Sequence, residues 1–159
     1  MIKIRKAKAD DMSAVLDLII ELAIFEKEPN AVVVTEEDLV RDGFGKTPLF
    51  EVIVAEKNTE IIGMALYYNR YSTWKGKTIH LEDLIVKENF RGTGAGFLLY
   101  KEVIKNAYEK GVKRIEWVVL DWNTKAVDFY KKSGATVMED WNTVQMNYEQ
   151  MGTFLEKSN

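Results

Sequence analysis

The sequence contains no cysteine, and that absence removes disulfides, thiolate catalysis and cysteine-based zinc sites together. Histidine occurs once, as His80. A multi-histidine metal site is therefore excluded, no metal is expected, and any histidine-based triad would run through His80. Long apolar runs are also missing, since the longest stretches are strand-sized, so no membrane span is expected. The first residues, Met1-Ile2-Lys3-Ile4-Arg5, lack the apolar segment of a signal peptide, which makes the cytoplasm the default location. Positive charge is not in excess. The net charge is −3 with no basic stripe, which argues against a nucleic-acid partner and suits a cationic ligand. What remains is an ordinary globular balance, 47% hydrophobic and 30% charged over 159 residues, enough for one domain with its own core. The expectation is a single domain over 1–159, with an irregular tail at 150–159.

Periodicity orders the elements. Ile2 to Ala7 reads as a strand, and Asp10 is placed to cap a helix whose apolar stripe is Met12, Val15, Leu16, Ile19, Leu22 and Ala23. Thr35 caps a short second helix with Glu36, Glu37 and Asp38 in its first turn, and Asp42-Gly43 closes it. Three strands follow, at Phe50 to Glu56, Ile61 to Tyr68 and Lys77 to Val86, with a hairpin signal at Lys57 to Glu60 and a turn at Gly76. A helix runs to Lys110 with Leu99, Val103 and Ala107 inward. Then come a strand at Ile115 to Leu120, a helix capped by Asn123, and two last strands near Ala135 to Met138 and Thr143 to Tyr148. Helices and strands alternating in this way describe an α/β domain with a mixed sheet.

The sharpest local signal is Arg91-Gly92-Thr93-Gly94-Ala95-Gly96, between a strand and an amphipathic helix. Its glycines let backbone approach a ligand closely, and the following helix N-terminus favours an anion such as a pyrophosphate. A kinase-type P-loop would place Lys-Ser or Lys-Thr next, where this chain has Phe97-Leu98. A dinucleotide fold would place the glycines after the first strand. Neither pattern fits.

Arg-Gly-x-Gly-x-Gly after a fourth strand resembles the acetyl-CoA loop of the GNAT acetyltransferase superfamily. The stretch Asn123-Thr124-Lys125-Ala126-Val127-Asp128-Phe129-Tyr130-Lys131-Lys132-Ser133-Gly134 resembles that family's second signature. Further segments narrow the likeness to the diamine acetyltransferases, the branch with spermidine/spermine acetyltransferase and thialysine N-epsilon-acetyltransferase. These are Glu21 to Lys27, Asp42 to Gly45, Tyr67-Tyr68, Leu81-Glu82-Asp83 and Asp121-Trp122-Asn123. Tyr71 to Thr78 looks more like the thialysine enzyme, because the polyamine enzyme has aspartate where this chain has Ser72.

The resemblance implies a largely antiparallel mixed sheet flanked by helices, acetyl-CoA as co-substrate and a homodimer. It assigns the CoA pyrophosphate to Arg91, Gly92, Thr93, Gly94, Ala95, Gly96 and Phe97. It assigns the pantetheine arm to the backbone of Leu84, Ile85 and Val86, with Asn123, Ala126 and Tyr130 as further cofactor contacts. Asn123 could equally be a plain helix cap. Tyr130 matches the general acid for the departing thiolate, since a phenol keeps its proton at neutral pH. Glu82 is the implied substrate carboxylate and water-mediated base, with Phe25, Glu26, Asp83 and Trp74 beside the amine. An amine with a pKa of about 10.4 arrives protonated, so carboxylates suit both its binding and its deprotonation. Strand alternation puts Glu82 and Asp83 on opposite faces unless a bulge intervenes. His80 shares the face of Glu82. The expected reaction is direct acetyl transfer to a small cationic amine in a ternary complex. The alternatives are acetylation of a protein or peptide, and a non-catalytic acetyl-CoA sensor.

Overall fold

The computed structural model describes residues 1–157. The chain falls into two compact units, Met1–Val118 and Val119–Asn159.

The first unit is built on a five-stranded sheet of order β1-β2-β3-β4-β5, formed by β1 (Lys3–Lys6), β2 (Glu51–Lys57), β3 (Glu60–Ser72), β4 (Gly76–Val86) and β5 (Ile115–Glu116). The first four strands are antiparallel neighbours, and β5 joins β4 in parallel, so the sheet is mixed and largely antiparallel. Helices α1 (Met12–Phe25) and α2 (Glu36–Phe44) cover one face and α3 (Ala95–Glu109) the other. Alternation along the strands feeds both layers. Val52, Val54, Met64 and Leu66 pack with Met12, Val15, Leu18 and Leu39. Ile53, Ala55, Ala65 and Tyr67 pack with Leu99, Val103 and Ala107. Each buried valine, leucine, isoleucine or methionine among them contributes about 1.5–3 kcal/mol. Gly63 lies where β3, β4 and α3 meet; a Cβ there would stand 2.7 Å from the Ile85 carbonyl oxygen.

Several expectations need correction. Asp10 does not cap α1. A 3-10 turn over Ala9–Asp11 precedes the helix, and the Asp11 carboxylate instead accepts from the Lys8 N–H at 2.7 Å while pairing with Arg5. The strand foreseen at 115–120 stops after Glu116.

In the second unit, α4 (Thr124–Lys132) is capped by Asn123, whose Oδ1 accepts from the Ala126 N–H at 3.4 Å. The strands expected at 135–138 and 143–148 do not form among the described residues, and the tail is not irregular. Instead α5 (Tyr148–Lys157) occupies it, with residues 158 and 159 outside the described range. Asn147 and Gln150 start α5 by exchanging side-chain bonds to each other's backbone N–H, both at 2.8 Å. That reciprocal pair is a capping box.

Candidate active site

The register between β3 and β4 slips at one point. Leu66 faces Asp83 and Tyr67 faces Leu81, so Glu82 is an extra residue on β4. A bulge of this kind reverses the in–out alternation. Before it, Ile79 and Leu81 face the α3 layer; after it, Leu84 and Val86 do. Glu82 and Asp83 therefore both turn toward the α1 layer, the exception that regular alternation forbids. Glu26, at the C-terminal cap of α1, adds its charge to that of Glu82 in acting on Asp83.

The electrostatics follow from this crowding. Burial, reinforced by the charges of Glu82 and then Glu26, pushes the Asp83 carboxyl up to about 6. Partial desolvation also raises Glu26, although the residue as a whole stands exposed. Like charges that disfavour one another's ionisation form a site that gains from a cation. The Tyr68 hydroxyl donates to Glu82 Oε2 at 2.9 Å, and burial together with that carboxylate pushes its phenol up to about 12. His80 Nε2 stands 3.5 Å from the same oxygen. Tyr68 escaped the sequence reading as a site residue. Its position opposite His80 in the hairpin register is the signal that would have found it.

The glycine loop has the conformation its composition requires. Gly92 and Gly94 have φ of +80° and +88°, and a Cβ at either would meet nothing within 4 Å. Gly94 is the N-cap of α3 and brings no side chain to it, and the first turn holds no acid. By contrast α2 is closed by Thr35 and Asp38, with Glu36 and Glu37 beside them. The N–H groups of Ala95, Gly96 and Phe97 thus head a helix whose own sequence leaves that end to an anion. These features fit a CoA pyrophosphate. Glu21 on α1 braces the loop: its Oε1 accepts from the Glu88 N–H at 2.9 Å and lies 3.7 Å from Arg91 Nη2. Arg91 Nε donates to the Val86 carbonyl, and its guanidinium lies 5.3 Å over the Phe25 ring. Glu21 carries part of the family resemblance, but the sequence alone does not show its contact with the loop.

Leu84, Ile85 and Val86 pair with Ala65, Met64 and Gly63 on one edge of β4. Strand β5 pairs with β4 only at Ile79 and His80, so among the described residues no strand occupies the other edge beyond His80. Trp74 sits in the β3–β4 turn at 80% exposure, and the strand between that turn and Glu82 spans roughly 20 Å, so the structure does not bring it to the carboxylates. In the second unit, Tyr130 lies on α4 with its ring 5.4 Å from that of Phe129, and its carbonyl accepts from Ser133 Oγ at 2.7 Å. Asn123 and Ala126 are joined by the cap bond itself. A concavity lined by Gln145, Met146, Asn147 and Gln150 holds none of the residues foreseen for catalysis. Among the described residues, no three His, Asp or Glu side chains are grouped to hold a metal, and no helix is long and apolar enough to cross a membrane.

Comparison with known proteins places this geometry in context. Residues 15–135 match the acetyltransferase (GNAT) family. Thialysine N-epsilon-acetyltransferase of Bos taurus is 42% identical over 161 residues, covering 94% of this chain and 95% of that protein. The Homo sapiens spermidine/spermine N(1)-acetyltransferase-like protein 1 is 34% identical over 94% of this chain, which spans 23% of that longer protein. Among solved structures, a predicted acetyltransferase with acetyl-CoA from Clostridium acetobutylicum superposes with a TM-score of 0.73 at 21% identity, covering 91% of this chain and 96% of that one. The family match spans the glycine loop, the bulged carboxylates and the Asn123 to Tyr130 helix, and the chain belongs to the GNAT acetyltransferase family, in its diamine acetyltransferase branch.

Proposed function

We propose that the protein transfers the acetyl group of acetyl-CoA to a primary amine of a small cationic molecule, a lysine-like amino acid such as thialysine or a diamine, by direct attack in a ternary complex. The observation that carries this reading is the bulge at Glu82, which turns Glu82 and Asp83 to one face, where a cation would relieve the repulsion that Glu82 and Glu26 exert on Asp83. Acetyl-CoA supplies the thioester, held by the amides of 92–97 and by the open edge of β4 at Leu84 to Val86, in the manner of an added strand. Glu26 and Asp83 bind the ammonium group. Glu82 accepts the amine proton, directly or through one water, and the Tyr130 hydroxyl donates a proton to the leaving sulfur. No cysteine is present to carry an acyl group, in keeping with direct transfer. Thialysine is favoured over spermidine because the Bos taurus relative bears that name and because Ser72 replaces the aspartate of the polyamine enzyme. A homodimer working in the cytoplasm completes the proposal.

The test is thiol release from acetyl-CoA across thialysine, lysine, diamines, spermidine and peptides. Turnover confined to peptides would point to a protein acetyltransferase, and tight acetyl-CoA binding with no thiol release from any amine would point to a sensor. Glu82→Gln is expected to lower kcat/KM for the amine by about 10²-fold or more and to move its pH profile upward. An unchanged profile would transfer the base to another group.

A further inference from the structure

Three strands meet at His80. Across the sheet it faces Tyr68 on β3 and Glu116 on β5. Its side chain is 12% exposed and lies between two charged groups: Arg70 Nη1 stands 3.4 Å from Nδ1, and Glu82 Oε2 stands 3.5 Å from Nε2. Arg70 is itself held by an ion pair to Glu116, and Arg114 Nε approaches the other oxygen of Glu116 at 2.9 Å. A guanidinium has donors and no acceptor. Arg70 can therefore bond Nδ1 only through that atom's lone pair, which places the imidazole proton on Nε2, facing Glu82. The Tyr68 hydroxyl reaches the same Oε2, and its ring lies 5.3 Å from that of His80. The Tyr68 hydrogen bond and the 3.5 Å approach of His80 Nε2 are both to Oε2.

From this arrangement we infer that His80 is a positioning residue: it relays the Glu116–Arg70 ion pair to Glu82, pins Oε2 together with Tyr68, and so presents Oε1 to the substrate amine. The inference rests on the proposed role of Glu82. It explains why an otherwise exposed carboxylate on a bulge, where no regular ladder fixes the side chain, can hold one orientation. A carboxylate free to swing would spend part of its time out of reach of the amine, and small misplacements of a reacting group are costly. Tyr68 alone leaves the carboxylate able to rotate about that single bond; the polar imidazole edge 3.5 Å away narrows that freedom.

The test is steady-state kinetics on the full-length protein with both substrates varied, alongside thermal melting. His80→Phe keeps the ring and removes the donor. It is expected to lower kcat/KM for the amine by about threefold to tenfold, the worth of a weak polar contact to a carboxylate, with the acetyl-CoA KM and the melting temperature nearly unchanged. His80→Gln offers an oxygen to Arg70 and an N–H to Glu82, and is expected to recover most of the loss. Arg70→Leu, at the surface, is expected to lower the same parameter by about threefold, and it serves if His80→Phe does not fold. An unchanged amine kcat/KM in His80→Phe or Arg70→Leu, with Glu82→Gln impaired, would overturn the relay. So would a His80→Gln variant as poor as His80→Phe at normal stability. A Glu82→Gln enzyme with normal kinetics would instead overturn the role of Glu82 itself.

Discussion

Asp83 shows how a binding site can cost stability. In the unfolded chain its carboxyl would titrate near 3.8, and in the fold burial and two neighbouring carboxylates push it up to about 6. The native state therefore binds the extra proton between those values, and stability falls as pH rises from about 4 to about 6. Above pH 6 the cost is fully present, and a shift of this size corresponds to at most about 3 kcal/mol. Asp83→Asn removes the charge and keeps the shape. Urea unfolding should find the variant more stable than the parent at pH 7.5, with the difference gone below pH 4; equal stability at both pH values would show that Asp83 is not strained. The same charge should serve the ligand. Diamines are fully protonated throughout this range, so any change in their affinity reports the protein. Calorimetry should show diamine binding weakening as pH falls below about 6, and weaker binding with less pH dependence in Asp83→Asn, where Glu26 and Glu82 remain. The cluster was legible only in part. The sequence supplied Glu82, Asp83 and Glu26, but their convergence depends on a register slip between Leu66 and Tyr67 that no side-chain pattern announces.

At the scale of elements, two glycines separate ligand binding from folding. A Cβ at Gly63 would collide with the Ile85 carbonyl oxygen, whereas one at Gly94 meets nothing within 4 Å but must adopt a φ of +88°. Gly63→Ala should therefore lower the melting temperature. Gly94→Ala should reshape the entry to α3 at a cost of about 1–2 kcal/mol, and should weaken acetyl-CoA binding, with Gly94→Asn milder because asparagine tolerates the left-handed region. Unaltered acetyl-CoA affinity in Gly94→Ala, read by calorimetry, would remove the loop from the cofactor site. The elements read well from sequence were those with a local cause: the Thr35 and Asn123 caps, the turn at Gly76 and the apolar stripe of α3, whereas the stripe read for α1 left out the fully buried Leu18. The misread strands have a common origin. A strand needs a hydrogen-bonded neighbour, and the alternation in Thr143 to Tyr148 cannot say whether one exists. The competing local signal, Asn147 and Gln150 at capping-box spacing, instead starts a helix at Tyr148.

At the scale of the molecule, the carboxylate cluster and the glycine loop belong to the unit Met1–Val118, whereas Tyr130 belongs to Val119–Asn159. The family match at residues 15–135 crosses that boundary and ends just beyond α4. In the proposed mechanism the part taken by the second unit in the chemistry is the Tyr130 proton donor. Tyr130→Phe isolates that contribution. It deletes one hydroxyl, preserves the edge-to-face contact with Phe129, and leaves the backbone carbonyl that accepts from Ser133 untouched. The acetyl-CoA affinity should therefore stay close to that of the parent. The turnover number should fall by about 10²–10⁴-fold, the usual worth of a general acid. The loss should shrink with acetyl donors whose thiol has a low pKa, because such a leaving group departs without help. If turnover with acetyl-CoA fell and an activated thioester failed to restore it, Tyr130 would be supporting the site in some other way. Normal turnover would mean that the leaving thiolate takes its proton from solvent.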